Sequence, residues 1–219
     1  MNLAIISHTE HYVNDDNIIV GWGPTIKEIN QLSQIADSII HLAPLHNSKA
    51  PKSAIAYDSL KTTFVKLKPS GGRGVKKLSI LFNSVINIYR IFKTLKKVDF
   101  IQFRAPTGIG LYVLPFLRLF YNNKYWVKYA GNWKDDQMPL GNKIQKIWLQ
   151  KFTSKKTKIT INGKWKNERT NIIPFENPCI DKYERKEGLI SLTNKKLGNF
   201  KEFCFVGALN DHKGVDKVV

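Results

Sequence analysis

The residues best suited to do chemistry lie where apolar, strand-length runs end. Lys213-Gly214 follows the run Phe203 to Leu209 and the turn formers Asn210 and Asp211. That order reads as a strand, a turn and the opening of a helix, and helix N–H groups at such a turn favour anions. Gly207, inside the run, permits close approach by another backbone or a ligand. Lys213 and Gly207 are therefore candidates for holding a phosphate. Arg104 closes the run Val98 to Arg104 beside a Gly-containing helix start. An arginine there binds phosphate or carboxylate through its planar fork, and a structural ion pair is the competing reading. Trp133, Asp135 and Asp136 follow the run that begins at Lys124. An aromatic face with carboxylates suits a sugar, and an ordinary turn is the alternative. His8 ends the first run, either as a ligand-side residue or as a polar residue leaving the core. Gly21 and Gly23 flank Trp22 ahead of a helix opened by Pro24. A glycine loop in that place offers free N–H groups to a phosphate or sugar, while a plain turn uses the same residues.

These residues need elements to position them. Strands are expected at Leu3 to His8, Ser38 to Leu45, Thr62 to Lys68, Val98 to Arg104, from Lys124, and at Lys158 to Asn162, with an extended segment at Asn171 to Ile180. Ile26, Ile29 and Leu32 recur at helical spacing after Pro24. Lys76 to Lys97 carries the clearest helical stripe, Leu78, Leu81, Phe82, Val85, Ile88, Tyr89, Phe92 and Leu95. Its apolar face is expected to cover a sheet; its basic ends allow a seat on an anionic membrane instead. Further helices are expected after Gly108 and over Asn142 to Phe152. Strands alternating with helices through the first 180 residues argue an α/β fold with a doubly wound parallel sheet.

Composition narrows the classes. The 219 residues are 42% hydrophobic, enough for a packed core. The formal charge of +18 points to anionic partners. It is spread along the chain, and neither a dense basic helix nor an aromatic-basic RNA motif accompanies it, so nucleic acid is not expected. Cys179 and Cys204 are too few for a disulfide framework, and the absence of a Cys/His cluster argues no metal. The first residues have no secretory pattern, and no apolar run reaches the ~20 residues that span a bilayer. A cytoplasmic protein, peripheral at the inner membrane face where it meets lipid, is the expectation.

The final run, FVGAL followed by a short turn and KGVD, resembles the start of the nucleotide-sugar-binding domain of family 4 glycosyltransferases, which have the two-domain GT-B fold. Asp99-x-Ile101-x-x-Arg104-x-Pro106 is similar to a cleft segment of that family, with Arg where His is common. Asn171 to Ile180 resembles the segment closing its first domain. The resemblance implies an acceptor-side Rossmann-like domain over 1–180, a connector over 181–200 and an incomplete donor domain over 201–219. It implies transfer of a sugar from a nucleotide-diphosphate donor to a glycan or lipid-linked acceptor in surface polysaccharide synthesis, without a metal or other cofactor. Lys213 and Gly207 would hold the donor diphosphate; His8, Gly21, Gly23, Arg104, Trp133 and Asp135 would line the acceptor side. Ala208 stands where the family usually has Arg. The family's acidic donor motif would lie past Val219, so this chain alone is expected to be inactive. The rival expectation is a basic nucleic-acid-binding or membrane-surface module without catalysis.

Overall fold

The computed structural model describes residues 1–72, 74, 78–121, 124–135, 137–175 and 182–196. Lys213, Gly207, Ala208 and the strand expected around them lie outside the described residues. In chain order the elements are β1 (Asn2–Ile6), β2 (His11–Val13), β3 (Ile19–Trp22), α1 (Gly23–Leu32), β4 (Ser38–Pro44), β5 (Ala54–Ala56), β6 (Thr62–Leu67), α2 (Ser79–Leu95), β7 (Phe100–Ala105), α3 (Gly110–Phe120), β8 (Tyr125–Tyr129), α4 (Leu140–Lys151), β9 (Lys158–Asn162), β10 (Ile172–Phe175) and α5 (Lys182–Asn194). Two units divide the chain, Met1–Asn177 and Pro178–Val219. The described part of the second unit consists of α5 and the two residues after it. A helix thus occupies most of the stretch expected to act as connector.

The first unit is built on a seven-stranded sheet in the order β10-β9-β8-β7-β1-β4-β6. Every pairing in it is parallel. The strands are short, apolar and β-branched-rich, as sheets covered on both faces require. Winding starts at the central β1, runs outward through β4 to β6, then returns to β7 and runs the other way. The architecture is a Rossmann-like, doubly wound α/β fold. The reversal between β1 and β7 leaves a crevice outside their carboxyl ends, where folds of this type place their ligands.

One face of the sheet packs Ala4, Ile6, Ile101, Phe103 and Val127 against Ile91 of α2, Val113, Leu114 and Leu117 of α3 and Leu149 of α4. The other packs Leu3, Ile5 and Ile39 against Ile29 of α1 and Ala36. Each fully buried aliphatic side chain contributes roughly 1.5–3 kcal/mol, so these two layers dominate the unit's stability. A second, three-stranded antiparallel sheet, β2-β3-β5, is inserted around α1. It joins the main sheet through a bridge from His11 to Leu45 and the hydrogen bond from His46 N–H to His11 O.

Two expectations fail here, one of them in part. The residues around Gly21 are not a loop: Gly21 belongs to β3, paired with His11 of β2 and Ile55 of β5. And the apolar stripe of α2 covers the sheet only in part, through Ile88 and Leu95 beside Ile91. The side chains that α2 buries are Asn87, Ile91, Thr94 and Leu95. Leu81, Phe82, Val85 and Tyr89 are 63–79% exposed. Periodicity located the stripe, but only packing sets which side of a helix faces the core. The buried polar residues have partners at the sheet's edge. Asn87 Nδ2 donates to Lys68 O at 3.1 Å while Asn87 Oδ1 accepts from Lys68 N–H at 2.8 Å. Arg90 Nη1 donates to Lys66 O at 2.6 Å.

Candidate functional site

The carboxyl ends of β1 and β7 bring His8 and Arg104 to the two sides of the crevice. His8 is half-buried among glycines. A Cβ built on Gly71 would lie 3.9 Å from His8 Cε1, and one built on Gly108 would lie 3.8 Å from it. These are ordinary contact distances, so both glycines lie directly against the imidazole without being required by it. Gly71 has φ +99, a conformation that favours glycine. Burial lowers the His8 pKa, and a hydrogen bond to the Ser70 backbone opposes that shift. The imidazole is therefore neutral at neutral pH, and a neutral ring both donates and accepts hydrogen bonds.

The loop carrying Gly108 is fixed from below. Gln145 of α4 is buried; its Oε1 accepts from Thr107 N–H at 3.1 Å and its Nε2 donates to Thr107 O at 2.9 Å. Gly110 makes room for this clamp, because a Cβ there would sit 2.0 Å from Gln145 Oε1. The glycine is required by packing, not by a ligand.

Arg104 is held by an acid that the sequence reading passed over. Glu28 Oε2 of α1 accepts from Arg104 Nη2 and from Lys128 Nζ, each at 2.7 Å. Lys128 is 1% exposed and its Nζ also lies 4.7 Å from the centre of the Phe175 ring. The register Arg104↔Lys128 between β7 and β8 puts both cations on the same face of the sheet, the face α1 covers. The ion-pair reading of Arg104 is thus realised. Its Nη1 is buried and has no hydrogen-bond partner. The signal for this cluster was present: a lysine inside the strand YWVKY must find a counter-charge when the strand is buried.

Beside the arginine runs a chain of neutral groups. His11 Nδ1–H donates to Thr9 O at 2.8 Å, so His11 Nε2 accepts the Tyr57 hydroxyl at 2.9 Å. Tyr57 in turn accepts from His41 Nδ1–H at 2.6 Å, and His41 Nε2 accepts from Ser7 Oγ–H at 2.8 Å. Every group has one proton assignment that satisfies all its neighbours. Burial lowers the His11 pKa to about 4. Burial first, then repulsion from His11 and Arg104, lowers that of His41 well below its usual value. Ser7 and His41 resemble a nucleophile and its base. Both are 0% exposed, so no substrate reaches the hydroxyl. Gly21 serves this chain, since a Cβ on it would stand 2.5 Å from His11 Nε2. A Cβ on Gly23 would meet Ser53 O at 3.1 Å. Neither glycine offers space to a phosphate, and the expected cradle is absent.

The expected sugar platform is also displaced. Trp133 is 0% exposed, its Nε1–H bound to Glu168 Oε1 at 2.7 Å and its ring against Tyr129. It is a core residue. Asp135 closes a local turn by accepting from Gln137 N–H at 2.9 Å; Asp136 lies outside the described residues. Burial, reinforced by the Asp135 charge, pushes the Tyr129 phenol up to about 12. Trp22 is exposed at this end of the sheet, at 56%, as is Trp165 just past β9, at 40%. With Thr9, Glu10, Tyr12 and Pro51, Trp22 lines a pocket of about 280 Å³. Tyr12 donates to Glu10 Oε2 at 2.6 Å, and this bond, with burial behind it, pushes the Tyr12 phenol up to about 12. The pocket begins one residue after His8 along the chain. Trp22 escaped notice because a tryptophan between two glycines reads as part of a turn.

Among the described residues no group of three or more His, Cys, Asp or Glu side chains could hold a metal ion. No helix among them is long and apolar enough to cross a membrane. No protein-family model matches the chain, and no curated protein matches it.

Proposed function

We propose that the first unit is the acceptor-binding half of a glycosyltransferase of the two-domain GT-B type, taking a sugar from a nucleotide-diphosphate donor to a glycan or lipid-linked acceptor. The observation that carries the reading is the pocket that joins the exposed Trp22 face to the Glu10 carboxylate, with the half-buried His8 one residue before its first lining residue along the chain. An apolar ring face stacks on the C–H side of a sugar, and a carboxylate accepts its hydroxyl protons. The His8 ring, its N–H given to the Ser70 backbone, accepts from a further hydroxyl through its other nitrogen. Catalysis on this side of such an enzyme is positioning of the acceptor hydroxyl, and Gln145 and the Glu28 cluster hold the loops that do it. Arg104 sets a positive field in the crevice while Glu28 keeps it from moving. Lys213 and Gly207 remain the candidates for the donor diphosphate.

The test has two parts. Oligosaccharides titrated into the 219-residue chain should quench tryptophan fluorescence in the wild type, and Trp22→Ala should abolish the response. The protein expressed from its whole reading frame should release nucleoside diphosphate from one member of a nucleotide-sugar panel when acceptor is present. His8→Ala should lower that rate at least tenfold by the arithmetic of one lost positioning contact. Absence of both glycan binding and acceptor-dependent release in the wild type overturns the proposal.

A further inference from the structure

The outward face of α2 has no role in the fold. Leu81, Phe82, Val85, Tyr89 and Phe92 recur every three or four residues and so share one side of the helix. They are 69%, 79%, 75%, 63% and 41% exposed. The opposite side carries the four residues the helix buries. Soluble surfaces scatter their apolar residues singly; a contiguous stripe of this kind marks a contact. The aromatic rings continue sideways from Phe92 to Phe116 and Phe120 of α3, with centroids 6.3 and 5.2 Å apart, and Phe120 is 65% exposed.

Charge identifies what meets this face. From Ser79 to Lys97 the chain has Arg90, Lys93, Lys96 and Lys97 and no Asp or Glu. Lys93, Lys96 and Lys97 are exposed. Lys96 Nζ lies 4.7 Å over the Phe92 ring, so its stem runs along the apolar stripe with its charge at the end. Beside the helix, Lys66, Lys68, Arg90 and His46 share a pocket of about 310 Å³ whose lining contains no acid. A protein partner would be expected to match such a rim with a few acids at fixed points. A bilayer offers apolar depth and a uniform anionic surface, and an amphipathic helix with basic flanks lies in that interface.

We propose that the α2 face, extended by Phe120 of α3, docks the protein on an anionic lipid bilayer, with α2 lying in the interface and the Lys66–Lys68–Arg90 pocket receiving a lipid phosphate. The proposal does not depend on the transferase reading. It is tested by flotation of the 219-residue chain with vesicles of phosphatidylcholine alone and of phosphatidylcholine with one quarter phosphatidylglycerol, at low and high salt. Binding to the anionic vesicles that weakens with salt is expected, with little binding to the neutral ones. The triple variant Leu81→Ser, Phe82→Ser, Val85→Ser should fold as the wild type by circular dichroism, because these side chains are mostly exposed, and should lose binding by tenfold or more. Lys93→Glu, Lys96→Glu, Lys97→Glu should lose the preference for anionic vesicles, about a hundredfold at roughly 1 kcal/mol per basic residue. Wild-type binding by both variants overturns the proposal. So does a concentration-dependent dimer, seen by sedimentation, that the serine variant abolishes while vesicles bind nothing; the face then belongs to a second copy. Binding to inorganic phosphate without binding to vesicles overturns it as well.

Discussion

Two polar clusters lie buried under the carboxyl ends of the central strands, and they are held by different physics. Ser7, His41, Tyr57 and His11 form a neutral chain in which each proton has one place. Glu28, Arg104 and Lys128 form a charged knot in which one carboxylate oxygen receives two cations. The neutral chain needs its members uncharged, so its enemy is acid. The charged knot needs its carboxylate, so its enemy is loss of one charge. Side by side they show how a crevice can be polar without being soft: one cluster is fixed by hydrogen-bond direction, the other by Coulomb attraction in a poorly screened place.

The largest separation between the two should come from Glu28→Gln. It leaves Arg104 and Lys128 buried without that carboxylate, a change that typically costs about 3–5 kcal/mol. Urea unfolding at pH 7 should show the loss, and a change within 1 kcal/mol would place the knot's stability elsewhere. Next comes acidification, which strikes the buried histidines, those of the neutral chain and His8, and leaves the charged knot alone. Unfolded His11 titrates at its usual 6.5 and folded His11 at about 4, so the unfolded chain binds more protons between those values. Stability should be complete above pH 6.5 and fall as the pH drops toward 4, by about 3 kcal/mol from this residue. Glu28→Gln should keep that slope, whereas His11→Gln should remove the His11 share of it and leave the part due to His41 and His8. Tyr57→Phe should cost about 1–3 kcal/mol, since it strips partners from two buried imidazoles. The smallest effect is expected from Trp22→Ala, within about 0.5 kcal/mol of wild type. Its ring stands outside both clusters, so thermal melting should hardly move while glycan binding disappears.

The parallel sheet was legible because its strands are short apolar runs separated by helical periods. Lys158 to Asn162 was located at both ends, and Ser38, Thr62 and Asn171 were placed within a residue or so of their strand starts. The small antiparallel sheet was not, since β2 and β5 have three residues each and alternate too briefly to register. Arg104 and His8 were found from their place at strand ends. Their environments were not, because Glu28 is 76 positions from Arg104 and 100 from Lys128 along the chain. Trp133 was read as a platform for a sugar and Trp22 only as part of a glycine turn, for a related reason. Both follow or end apolar runs, and only the distant Glu168 carboxylate, which accepts from Trp133 Nε1, and the Tyr129 ring decide that Trp133 is the covered one.

The pairing of α2 with the rim of the sheet has one more result. β6 is the last strand on its side, and a terminal strand offers its outward N–H and C=O groups to any extended chain that drifts by. Here the Lys66 carbonyl is occupied by Arg90, and both main-chain groups of Lys68 are occupied by the Asn87 amide. Two side chains of a helix thus do the work of an eighth strand at the carboxyl end of that rim. A stray segment cannot extend the ladder there, and the protein carries its own guard against templated aggregation.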